Sequence, residues 1–137
     1  MMTVEQRMTR QVITLTEDQT LRDAIAVMQR HRIRHVPVVA GRAVVGMLTD
    51  RDVKRATPSL LSGVGQEEYD RVLTRTRVGQ VMTRNPFSVT PATHLKDAVK
   101  LLVDSKYGAL PVVERNELVG IVTGTDLLRA FYEMLDE

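Results

Sequence analysis

A threonine and an aspartate three residues apart follow a short, glycine-led apolar run at two places in this chain. The first is Gly46-Met47-Leu48-Thr49-Asp50-Arg51-Asp52 and the second is Gly120-Ile121-Val122-Thr123-Gly124-Thr125-Asp126. Each reads as a strand that ends in a hydroxyl, turns, and starts a helix. A helix start carries unpaired N–H groups and a partial positive charge, so it can hold a phosphate. Thr49 or Thr123 adds a hydroxyl donor at that point. Asp52 or Asp126, acceptor-only when ionised, suits the paired hydroxyls of a ribose. The same spacing is also an ordinary capping box, which needs no ligand. The two readings are compatible, because a group that caps a helix can also meet a ligand.

Other side chains with chemical potential are few. Arg30-His31-Arg32-Ile33-Arg34-His35 is a local basic run. It reads either as phosphate attraction, above all by Arg34, or as cations that favour a helix C-terminus. His31 and His94 read as surface residues. The chain has no cysteine, which excludes disulfides, thiolate metal sites and a Cys nucleophile. The three histidines are scattered, so no metal site is expected. No nucleophile–base pair, P-loop or metal-ligand spacing appears in the sequence, and an enzyme is the least expected class. Net charge is +2, a weak basis for nucleic-acid binding, so a nucleic-acid partner is not expected. No apolar run approaches the ~18 residues of a membrane helix. The first ten residues do not resemble a signal peptide, so a cytoplasmic location is expected.

The elements that must position the two Thr-x-x-Asp sites come from a duplication. Sliding the sequence by 74 positions aligns residues 4–56 with 78–130 without a gap, and 18 of the 53 pairs are identical. The identities include Met8-Thr9-Arg10 with Met82-Thr83-Arg84 and Pro37-Val38-Val39 with Pro111-Val112-Val113. Two copies are too few for a solenoid, so a closed pair is expected. Each copy begins with a segment ending at the Met-Thr pair. An extended run follows, Val12-Ile13-Thr14-Leu15 or Phe87-Ser88-Val89, expected as a short strand. Thr20-Leu21-Arg22-Asp23 has capping-box spacing and opens a helix whose apolar stripe is Leu21, Ala24, Ile25 and Met28. A proline-initiated strand, a polar turn and a returning strand come next, then a final helix. The order per copy is strand, helix, strand, strand, helix. Between the copies, residues 67–75 predict a bracing helix with Tyr69, Val72 and Leu73 on one face. Residues 130–137 extend the last helix with Phe131, Met134 and Leu135, a stripe that either caps the core or meets a second subunit.

The order of elements, the Met-Thr start, the proline strand and the Gly-apolar-apolar-Thr-x-x-Asp ending resemble a cystathionine-β-synthase (CBS) domain pair. Thr49-Asp50-Arg51-Asp52 followed by Ala56-Thr57-Pro58-Ser59 is similar to the acetoin-utilisation protein B branch, whose members often carry a further C-terminal domain that is not seen before Glu137. The resemblance implies an α+β fold of two β-α-β-β-α repeats packed as a pseudo-two-fold pair. The expected domains are residues 1–60, a linker helix at 61–76, and residues 77–137. It also implies AMP, ADP, ATP or S-adenosylmethionine as ligand, two clefts between the repeats, an energy-sensing regulatory role and a flat homodimer. One implied cleft combines Thr49 and Asp52 with Thr83, Phe87, Tyr107, Gly108 and Ala109. The other combines Thr123 and Asp126 with Thr9, Ile13, Ile33, Arg34 and His35. The second is expected to be the better nucleotide site, because Gly124 leaves room and a free N–H where Asp50 adds negative charge. The competing expectation is a ligand-independent dimerisation or protein-interaction module with empty clefts.

Overall fold

The computed structural model describes residues 1–105 and 107–135. Two compact units are present. The first-copy unit comprises Ile13–Gly41 and Val45–Asn85, and the second-copy unit comprises Met1–Val12, Arg42–Val44 and Pro86–Glu137. The units therefore do not follow the sequence repeats at their edges. The segment before each repeat's extended run joins the other copy.

The first-copy unit contains α1 (Leu21–His31), β1 (His35–Ala40), most of β2 (Ala43–Thr49), α2 (Asp50–Ala56), α3 (Gln66–Arg75), the single turn α4 (Val78–Val81) and β3 (Thr83–Arg84). Its sheet has the order β1-β2-β3. Helix α1 begins where the sequence predicts: Thr20 accepts from the Asp23 N–H and Asp23 Oδ2 accepts from the Thr20 N–H. Its buried residues, Leu21, Ala24 and Met28, fall one helical turn apart and face the core. That core also holds Leu15, Val36, Val38, Leu48, Val53 and Leu73. The bracing helix α3 presents Tyr69, Val72 and Leu73 to it. Val78 and Met82 complete it, tied in by the Val78 N–H to the Gln19 carbonyl at 2.7 Å and by the pairing of Met47 with Thr83.

The second-copy unit repeats the plan with α5 (Leu95–Ser105), β4 (Ala109–Glu114), β5 (Glu117–Thr123) and α6 (Gly124–Met134). Strands β4 and β5 pair antiparallel over their length. The core is Val4, Val89, Ala98, Leu110, Val112 and Val122. The amino-terminal segment is held here by the Val4 N–H to the Thr93 carbonyl at 2.9 Å, and by the Thr9 and Ile121 N–H groups donating to each other's carbonyls. The final helix carries Phe131 and Met134 as expected, both exposed, and Leu135 caps it. The last two residues of the predicted tail, Asp136 and Glu137, lie outside the described residues.

Two local expectations need correction. The extended runs around Leu15 and Val89 are not strands. Each makes a single parallel bridge, Leu15 to Val38 and Val89 to Val112. The prolines do not begin their strands but stand third in them, at Pro37 of β1 and Pro111 of β4. Pro111 faces Ile121, whose own N–H and carbonyl point away toward Thr9. Its missing N–H is therefore on the side away from β5, while its carbonyl accepts from Val89. A proline inside an edge strand costs no ladder bond in that register.

Candidate ligand-binding site

Both Thr-x-x-Asp sites fall where a strand of the hairpin hands over to a helix. In the first-copy unit, Thr49 ends β2 with an extended backbone and caps α2. The Thr49 N–H donates to Asp52 Oδ2 at 2.9 Å, and the Asp52 N–H donates to Thr49 Oγ1 at 3.2 Å. In the second-copy unit Thr123 ends β5 and caps α6. The Thr123 N–H donates to Asp126 Oδ2 at 2.9 Å, the Thr123 hydroxyl donates to the same oxygen at 3.2 Å, and the Asp126 N–H donates back at 3.4 Å. The capping reading therefore holds at both. Thr20 and Asp23 make the same box at α1, so the spacing alone does not mark a ligand site.

What differs is the remaining carboxylate oxygen. Thr9 Oγ1 donates to Asp126 Oδ1 at 2.9 Å. Asp126 is the one buried charged residue among those described, at 7% exposure. Asp52 is half-buried, and its Oδ1 has no hydrogen-bond partner among the described residues. Thr83, the repeat counterpart of Thr9, pairs with Met47 through the backbone, but its hydroxyl does not reach Asp52.

The threonines are placed by methionine on glycine. A Cβ on Gly120 would come within 2.6 Å of Met8 Sδ, and one on Gly46 within 2.4 Å of Met82 Sδ and 2.9 Å of the Thr83 carbonyl. Only glycine lets the Met-Thr segment lie this close to the strand. No local pattern assigns Gly46 and Gly120 this role, although both recur at the 74-residue offset together with the methionines that cover them.

The expected free N–H at Gly124 is absent. It donates to the Gly108 carbonyl at 3.3 Å, just as the Asp50 N–H donates to the Arg34 carbonyl at 3.0 Å. A helix start whose first donor is already used, and whose third is capped by threonine, keeps the second, Thr125 or Arg51, for an anion. These same bonds place Gly108 beside the start of α6 and Arg34 beside the start of α2. Ala109 is buried opposite Thr123 in the β4–β5 ladder. Phe87 and Tyr107 are exposed and their rings lie 5.6 Å apart at 52°, an ordinary aromatic pair. Their counterparts in the first-copy unit, Ile13 and Ile33, are aliphatic and half-buried. Arg34 is exposed, and His35 is half-buried at the start of β1. Burial pushes the His35 imidazole below its ordinary pKa; Asp50 pulls it up and Arg34 pushes it down.

Among the described residues no cluster of His, Cys, Asp or Glu could hold a metal ion, and no helix is long and apolar enough to cross a membrane.

The CBS domain family matches residues 4–59 and 78–133. The match covers most of the chain, which therefore belongs to this family as a tandem pair of mixed α/β repeats. The CBS domain-containing protein YhcV of Bacillus subtilis is 35% identical over 127 residues, spanning 93% of this chain and 84% of its own. A crystal structure described as the acetoin utilization protein AcuB of Vibrio cholerae superposes with a TM-score of 0.82 at 34% identity, covering 98% of this chain and 93% of that one. CBSX2 of Arabidopsis thaliana, crystallised in complex with AMP, gives 0.80 at 27% identity, covering 96% of this chain and 97% of its own.

Proposed function

We propose that this CBS pair is a non-enzymatic regulatory module that binds an adenosine-containing ligand, AMP, ADP, ATP or S-adenosylmethionine. Binding then alters the geometry of a homodimer or the grip on a partner protein. The observation that carries the reading is the repeated carboxylate at a strand-to-helix turn, Asp52 and Asp126, each held by its own cap with acceptor capacity left over. With about four lone-pair sites per carboxylate, Asp52 keeps room for both hydroxyls of a ribose, and Asp126, which already accepts from three donors, keeps room for one. Thr49 and Thr123 stand beside it for the phosphate. The aliphatic side chains of Ile13 and Ile33, and the ring pair of Phe87 and Tyr107, offer apolar surface for a base. The AMP bound by CBSX2, a relative of similar length, supports the same ligand class.

Of the two aspartates we rank Asp126 as the stronger ribose acceptor. Its carboxylate is fixed by three donors and mostly desolvated, which strengthens each further hydrogen bond. Calorimetric titration of AMP, ATP and S-adenosylmethionine into the intact protein, Asp52→Ala and Asp126→Ala tests both claims. A larger loss of affinity from Asp126→Ala is expected. Equal losses overturn the ranking, and no heat with any ligand at millimolar concentration overturns the ligand class.

The second reading, an interaction module with empty clefts, is favoured by one observation: every cap is complete without a ligand. A thermal-shift panel separates the two, because a ligand bound only to the folded state raises the melting temperature by mass action.

A further inference from the structure

The two units carry different charge. The first-copy unit has eleven Lys and Arg against eight Asp and Glu, and the second-copy unit has eight against nine. Five of the eleven cations are grouped. Arg30 and Arg32 end α1, and Arg51, Lys54 and Arg55 lie on α2. On a helix, positions 51, 54 and 55 share one face, opposite Val53 and Ala56, which pack on the core. The Asp50 N–H to Arg34 carbonyl bond ties the segment just past α1 to the start of α2, so the five cations border one surface.

All five are exposed, and none has an ion-pair partner among the described residues. Elsewhere in the same unit Arg22, Arg71 and Arg84 reach carboxylates and Arg77 reaches the Asp18 carbonyl. Helix dipoles account for Arg30, Lys54 and Arg55, which stand in last turns. They do not account for Arg51, a cation in a first turn, where the dipole opposes it, nor for Arg32, which lies past the helix end in a left-handed conformation with φ of 54°. The acids nearest in sequence do not neutralise the face: Asp50 and Asp52 supply two negative charges against its five positive ones. The second copy carries Asp104, Lys106, Thr125, Leu128 and Arg129 at the matching positions, so the repeat framework does not require cations there.

We propose that the exposed face of α1's end and α2 is a docking surface for a short acidic segment of a partner protein. Five unpaired cations repel one another until carboxylates are supplied, and arginine matches a carboxylate bidentately. A protein segment fits better than a nucleic acid. The sole aromatic residue of this unit, Tyr69, packs on its core, so no base-stacking platform borders the cations. Helix α2 has seven residues, about 10 Å, which matches a few carboxylates in a row. The surface uses side chains; of its five residues only Arg51 enters the ligand reading above, and there through its backbone N–H, which a side-chain substitution leaves in place.

The test is fluorescence anisotropy of the full chain with a labelled octaglutamate peptide, alongside a DNA duplex and a single-stranded RNA of equal charge. Binding of the peptide is expected, weakened about tenfold or more in an Arg51→Glu/Lys54→Glu/Arg55→Glu variant. If that variant melts well below the parent, Arg30→Gln with Arg32→Asn decides, with a loss of about threefold or more expected. No peptide binding by the parent, unchanged affinity in the folded variant, or tighter binding of either nucleic acid than of the peptide overturns the proposal.

Discussion

The starts of α2 and α6 descend from one pattern, yet the structure builds them differently. At α6 the carboxylate of Asp126 is buried and both its oxygens are engaged, one of them by Thr9 from the amino-terminal segment. At α2 the carboxylate of Asp52 is half-buried, makes the cap, and keeps one oxygen free. The flanks diverge as well. Arg34 and His35 stand beside α2, where Gly108 and Ala109 stand beside α6. One start carries charges of both signs, Asp50, Arg51 and Asp52 beside Arg34, with aliphatic neighbours, and the other carries Asp126 alone, with an aromatic pair in its unit. Duplicated sequence thus conserved the backbone turn while the surrounding groups diverged, which is the physical basis for the ranking of Asp126 over Asp52 proposed above.

The comparison can be broken first at the glycines. Gly46→Ala is expected to cost about 2–3 kcal/mol, because the new Cβ meets the Thr83 carbonyl as well as Met82, and backbone cannot move aside cheaply. Gly120→Ala should cost less, about 1–2 kcal/mol, since its Cβ would stand 3.1 Å from the Thr9 carbonyl and 2.6 Å from Met8 Sδ, each looser than at Gly46. Urea denaturation of both variants measures this, and equal costs would mean the two methionine contacts are equivalent.

Next come the aspartates. Asp126→Ala leaves the half-buried Thr123 N–H and the Thr9 hydroxyl without their acceptor, and about 2 kcal/mol is expected. Asp52→Ala removes one solvent-reachable cap partner, about 1 kcal/mol. A reversed order in denaturant midpoints would contradict the burial difference.

A smaller effect is confined to the first copy. His35 is held below its ordinary pKa of about 6.5 mainly by burial, so the unfolded chain binds its proton more readily than the folded one. Its contribution is therefore fully present above about pH 6.5 and is lost as the pH falls from there toward the lower folded value. Melting temperatures of the parent should drop across that window more steeply than those of His35→Gln. Ala109 at the matching position gives the second copy no such slope, so parallel curves would remove His35 as the cause.

The smallest effect is at the surface. Arg22→Ala breaks the 3.4 Å pair with Asp70, both side chains being about half exposed, and should change stability by less than about 0.5 kcal/mol.

Much of this architecture is written locally. The 74-residue offset, the three Thr-x-x-Asp boxes, the α1 stripe and the α3 face all follow from neighbours within a turn or two, where periodicity and capping operate. The proline strands were legible as strands, but not their first residues, because strand ends depend on what pairs beside them. The runs at Leu15 and Val89 have strand composition and only one bridge each, since each lies against a strand whose proline offers a carbonyl but no N–H.

By itself, the sequence determined that there are two copies, that each holds a helix, a hairpin and a final helix, and that the copies end in a capped carboxylate. Only the tertiary structure decided that the Met-Thr segments change partners: Met1–Val12 is held by the second copy and residues 78–85 by the first. It also decided that Thr9 reaches Asp126 while Thr83 leaves Asp52 alone. The reason is that these bonds join residues 117 apart in the chain in one case and fail across 31 in the other. No local preference encodes such a choice; it is set by how methionine, glycine and strand edge pack when they meet.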